Sequence, residues 1–269
     1  MKGIWSVTLC LLAALAVASA AESREGPVFD LGLSVSHIKY EEPGLMDEKG
    51  MMYGLAGDFS WRGGSAIMLG LEARGAWGEV EYSGATWDGV PLTISDIPDY
   101  LLEGRGLIGL DVVSTEITLT PFTGLGYRYL NDGLQEKASG GYEREANYFY
   151  SPLGGELIAD LGDGWFFSAR VEYDIFWRGQ QVSHFSDVAA EYNDPENDQD
   201  KGYGIKGSVR IGKRGGDGEI GFAVEPFVNY WKIEDSETAT LTQNGWAVGE
   251  VIEPRNESTE FGAALKLIF

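Results

Sequence analysis

The sequence predicts an all-β protein: a single transmembrane antiparallel β-barrel of about ten strands in meander order. Three observations predict it. Apolar residues fall at every second position over stretches longer than ordinary strands, the links between stretches alternate between short and long, and the chain ends on one more such stretch closed by a phenylalanine. Eight and twelve strands are the alternatives, because one ambiguous stretch shifts the count by two.

Met1–Ala20 reads as a signal peptide. Lys2 gives a positive start, residues 4–17 are almost wholly apolar, and Ala18-Ser19-Ala20 supplies small residues at a cleavage site. Residues 21–269 then form one barrel domain. The sole cysteine, Cys10, lies inside the apolar run, so no disulfide is available to the mature chain. The 42 acidic residues against 20 basic ones exclude nucleic acid as a partner. After the signal no segment reaches the roughly 18 continuous apolar residues of a spanning helix, whereas 38 glycines and many aromatic rings suit strands that curve and meet a membrane interface.

The alternation is clearest from Trp165 to Trp177. Phe167, Ala169, Val171, Tyr173 and Ile175 share one register, and Ser168, Arg170, Glu172 and Asp174 the other. One face meets lipid and the other a polar interior, over a run well beyond the usual strand of about 5 or 6 residues. Ten such stretches are expected, near 28–40, 51–62, 65–82, 99–113, 117–130, 145–161, 164–180, 202–213, 218–232 and 258–269. Links after even-numbered strands are tight, at Gly63-Gly64, 114–116, Gly162-Asp163 and 214–217. Those after odd-numbered strands are long, at 41–50, 83–98, 131–144, 181–201 and 233–257. Short turns on one side and long loops on the other are a barrel signature that puts both termini in the periplasm and the long loops outside.

The inward register defines a charged lumen: Glu72, Arg74, Glu103, Arg105, Arg170, Glu172, Asp174, Arg178, Arg210 and Glu225. Confined charges need partners, so the expectation is a salt-bridge network in a narrow barrel, with a restricted conduction path as the alternative. Tyr148, Tyr150 and Pro152, with Tyr127 and Tyr129, form either a rim platform for a sugar or peptide or part of an interfacial girdle. Acid collects in the long loops. Asp194-x-Glu196-x-Asp198-x-Asp200 has oxygen ligands that attract divalent cations, but it lacks the glycine and terminal glutamate of a calcium loop, so no metal and no cofactor is assigned.

The closing run Phe261, Ala263, Leu265, Leu267, Phe269 resembles the C-terminal signal that the outer-membrane assembly machinery reads in Gram-negative barrel proteins. That resemblance covers the whole mature chain, in the manner of small porin-like or OmpA-like barrels. It implies outer-membrane lipid, lipopolysaccharide and that machinery as partners, with small solutes or divalent cations as candidate ligands. In strand number and a rim histidine the chain also resembles the omptin proteases, which implies His184 with Asp187, opposite Asp96 and Asp99, as catalytic candidates. The spacing departs from the omptin pattern, since His184 and Asp187 lie three apart and Asp96 and Asp99 are not adjacent. Three functions therefore stand: a structural or narrow-channel barrel, an adhesin or receptor, and a rim protease.

Overall fold

A computed structural model describes residues 26–63, 66–86, 88–114, 117–216 and 218–269; the expected signal peptide, residues 1–20, lies outside them. The chain runs β1 (Gly26–Glu42), β2 (Met46–Arg62), β3 (Ile67–Ala85) and β4 (Pro91–Leu110), with β5 (Val112–Val113) continuing β4. Next come β6 (Ile117–Asp132), β7 (Arg144–Gly162) and β8 (Trp165–Ser183). After them β9 (Glu196–Gln199) folds back onto β8, and β10 (Gly202–Lys213) and β11 (Gly221–Ile233) follow. The last loop carries a separate hairpin, β12 (Ala239–Gln243) with β13 (Trp246–Val251), before β14 (Asn256–Ile268). Every neighbouring pair is antiparallel, β14 closes on β1, and β10 joins β8 to β11, so ten long strands make a closed barrel.

The alternation of the sequence becomes the wall. Leu33, Leu71, Leu125 and Val171 are each more than 60% exposed on the outer face, where only lipid can cover them. Aromatic residues bound that band. Phe29 and Phe269 meet at 5.9 Å near the turn end, as do Trp165 and Phe222, while Trp77, Tyr100, Tyr173 and Tyr203 lie towards the loop end. Above that belt, Lys39 faces Lys49 and Lys49 faces Glu81 across the outer wall, which marks water rather than hydrocarbon.

The ladder refines the sequence reading at several places. The strands run further at the loop end than expected. β1 and β2 leave only residues 43–45 between them, and β3 and β4 only 86–90, so the first two outer links are short. Above the membrane both strand faces meet water or polar groups, and the alternation that marks a strand lower down fades. The tight turn after β7 is Asp163-Gly164, with Gly162 pairing Trp165; both turn residues have positive φ (52° and 81°), as a two-residue turn matched to strand twist needs. Arg178 does not point into the lumen. A bulge between Phe149 and Tyr150 leaves Trp177 without a partner, and the slip turns Arg178 outward, where it meets Asp198 at 3.0 Å.

Candidate functional site

The turn-end half of the lumen is a polar cavity of about 260 Å³, lined by eight acidic and eight basic side chains. Together with Glu260 and Asp174, which lie outside that lining, they pair across the barrel. Arg105 and Arg170 share Glu72 at 2.6 and 2.7 Å and both reach Glu172. Arg74 holds Glu260 at 2.6 Å, and Arg210 holds Asp30 at 2.8 Å. Lys266 bridges Asp58 and Glu225 at 2.6 and 2.7 Å. Glu103 and Asp174 converge on Lys206. Of the lumen residues expected from the sequence, the structure brings together all but Arg178.

Above this network the interior changes character. Tyr148, Tyr150, Phe176, Trp231, Ile233 and Ala146 form one apolar cluster, and Ile38, Met52, Ala76, Val80 and Ile97 a second. Barrel interiors are usually polar; this half is packed like the core of a soluble domain. Tyr148 and Tyr150 thus face inward instead of forming a rim platform, while Tyr127 and Tyr129 stay on the outer wall. Tyr150 and Trp231 meet edge-on at 5.0 Å, and Lys206 lies 4.7 Å from the Tyr150 ring. The Tyr150 hydroxyl donates to Glu103 and accepts from Lys206 at 3.0 Å, tying the apolar layer to the ion network below. Glycine makes room for the rings. A Cβ at Gly126 would stand 2.3 Å from Tyr150 Cζ, and one at Gly204 would stand 2.9 Å from Trp231. Arg128 lies over Trp231 at 5.5 Å, and both are 1% exposed. The layer is a septum.

Beyond the septum, at the loop end, lies a chamber of about 40 Å³ that shares no lining residue with the lower cavity. Glu48, Asp99 and Asp132 line it beside Arg144. Glu48 and Asp132 sit above the aromatic belt, and burial raises both carboxyls, Glu48 well above its ordinary value, with Asp132 adding charge repulsion at Glu48. Arg144 roofs the chamber by pairing with Glu42 and Glu253, and Tyr40 donates to Glu253 at 3.1 Å. Burial likewise raises Glu253, against the pull of Arg144. Among the described residues no set of three Asp, Glu or His side chains converges as a metal would require.

The catalytic candidates are dispersed. His184 sits between Glu145 and Asp194, 3.5 Å from each. Asp187 instead accepts the backbone N–H of Glu143 at 3.0 Å. Asp99 lines the inner chamber, whereas Asp96 is exposed at a bulge opposite Glu81, with φ 62°. Among the described residues, the ion pairs of His184 are with Glu145 and Asp194 instead.

The two largest loops are knitted into one platform. Asn193 accepts from the Thr242 N–H and donates to Thr240 O, Tyr192 bridges to Gln243, and Asn197 donates to Glu237 O and Val251 O. Sequence reasoning reached the acidity of these loops but not the β12–β13 hairpin, although Asn244-Gly245 is a two-residue hairpin turn readable in the sequence. Trp231 and its packing were missed too, since its partners come from strands distant in the chain.

No protein-family profile matches the chain, and neither does any curated protein sequence. Among solved structures it is similar to the outer membrane protease OmpT from Escherichia coli, at 13% identity and a TM-score of 0.60 over 94% of this chain and 100% of that one. Others are the toluene transporter TodX of Pseudomonas putida (10% identity, TM-score 0.34, 95% and 92% of the two chains) and the outer membrane protein OprG of Pseudomonas aeruginosa (11%, 0.36, 91% and 96%). The likeness to OmpT is one of fold: a Gram-negative outer-membrane β-barrel.

Proposed function

We propose that the chain is a sealed outer-membrane barrel that works as a cell-surface binding protein, with its termini and turn end in the periplasm and its loop platform outside. The observation that carries this reading is the septum. Trp231, Tyr150 and Arg128 are nearly or fully buried and separate the two cavities. A pore needs a continuous wet path with sites an ion can leave, and here the charges below the septum are spent on one another. The ordered surface lies at the loop end, so binding is assigned there. The test is single-channel recording of the refolded mature protein in a planar bilayer. Insertion without current steps is expected; reproducible steps that scale with protein would refute the reading.

One observation favours rim hydrolysis as a second reading: His184 held between two carboxylates, a setting in which an imidazole can act as a base. Cleavage of a peptide library by the wild type, abolished by His184→Ala in a barrel that still folds, would establish it. An inert wild type would remove it.

A further inference from the structure

The β12–β13 hairpin leaves one edge open. Its β12 side is covered, bridged through Tyr192 and bonded through Asn193 to the neighbouring loop. The β13 side pairs with no further strand among the described residues, and apart from Asn197, which donates to Val251 O at its far end, its outer edge is open. Trp246 is 79% exposed and Val248 53%. A bulge between Leu241 and Thr242 takes Val248 out of the ladder and leaves its side chain in solvent. Native proteins guard such edges with lysine, proline or a covering segment. β13 has the Val248 bulge and the single charge of Glu250 but no lysine, proline or covering segment.

We infer that β13 takes up an extended peptide segment bearing lysine or arginine at alternate positions and apolar side chains between them. Strand addition would satisfy the free backbone groups of the edge, the apolar residues would cover Trp246 and Val248, and the cations would meet the acidic loops. Charge decides the occupant. Residues 181–201 hold six acids against Lys201, and residues 233–257 six against Arg255; with Asp198 paired to Arg178 and Glu253 buried against Arg144, ten remain to face a partner. A second copy of the chain, at a net charge of −22, would set these loops against themselves. This inference rests on the sealed, surface-binding reading and adds the class of partner.

The test is fluorescence anisotropy of a labelled peptide alternating lysine and valine, on the full barrel in nanodiscs with empty nanodiscs as control. Its twin carries glutamate for lysine. Gln243 and Trp246 close a two-residue turn and so exchange backbone bonds; Ala247, one residue on, turns its N–H away from β12. Ala247→Pro therefore removes a free donor and leaves the hairpin's own bonds in place. The lysine peptide is expected to bind, the glutamate twin to bind at least tenfold more weakly, and Ala247→Pro to lose tenfold or more, while Ala247→Val retains affinity. Trp246→Ser, which leaves the backbone untouched, should weaken binding as well. Equal binding to wild type and Ala247→Pro would reduce the effect to surface charge and overturn the inference, as would equal binding of the twin or dimerisation through this edge. Single-channel recording on the same sample separates the two levels: a silent barrel that ignores the peptide loses only the partner, whereas a conducting one loses the underlying reading.

Discussion

Replacing Trp231 with alanine tests whether the septum holds the loop half of the barrel together. Trp231 is 1% exposed, so the substitution withdraws the whole indole from its surroundings. A buried tryptophan covers about 200 Å², which at about 25 cal/mol per Å² amounts to about 5 kcal/mol. Measured losses for such truncations run about 3–5 kcal/mol. The cations 5.5 Å from the ring, Lys206 and Arg128, add to the loss. Working against it, the indole Nε1 is buried without a hydrogen-bond partner, and its removal returns about 1 kcal/mol. The expected net loss is about 4 kcal/mol. Urea titration of the refolded barrel in micelles, with folded protein followed by its migration on unheated gels, reads this directly. A loss under about 1 kcal/mol, the range of an uncritical surface change, would refute the septum as a packed core. Truncating Tyr150 as well should join the two cavities and produce current steps. A folded but silent double variant would place the seal in the Lys206–Glu103 layer instead.

Lys206→Met leaves Glu103, Glu172 and Asp174 facing one another without their shared cation; a loss of about 3–5 kcal/mol is expected in the same titration, and Glu103→Gln should cost less. Gly126→Ala drives a methyl into Tyr150 and should cost about 1–3 kcal/mol, but almost nothing in a Tyr150→Ala background, because the clash is shared by the pair. Glu48→Gln bears on pH. Burial raises the folded-state pKa of Glu48 above its unfolded value, so the native state binds that proton more tightly, and the residue lowers stability progressively as pH rises through the raised pKa. Glu48→Gln should therefore gain stability at neutral pH and match the wild type in acid; an equal change at every pH in urea titrations would discard the assignment.

The wall was legible because a side-chain period of two is a local property. Ile67, Leu69 and Leu71 declare their face without reference to any other strand, and the exposed residues of β3 agree. The same locality explains what was lost. The bulge that turns Arg178 outward depends on how β8 pairs with β7, and nothing between Trp177 and Gly179 announces it. Residues 46–50 alternate poorly, so they resembled a loop, although they are strand standing above the membrane. Periodicity also assigned Tyr148 and Tyr150 no companion. Their companion is Trp231 on β11, far along the chain, and only closure of the barrel brings the rings together.

The distribution of charge carries the argument one step further. The lining of the lower cavity is balanced, eight acids against eight bases, and Glu260 and Asp174 join its ion pairs from outside that lining, so this network accounts for little of the net charge of −22. The excess therefore lies elsewhere, and the two platform loops hold much of it. A channel that selects by charge would show the opposite arrangement, an uncompensated ring inside and a neutral exterior. Here the charges of the lower lumen are occupied with one another, and the excess acid lies towards the loop end, in the chamber around Arg144 and in the platform loops that carry the open strand. Raising ionic strength should consequently weaken capture of a cationic partner at that end, where charges are exposed and screened within about 8 Å at physiological salt. The stability of the barrel should barely change, because its ion pairs are enclosed. A barrel that unfolds as salt rises, while peptide binding stays constant, would mean that the two populations of charge have been assigned the wrong way round.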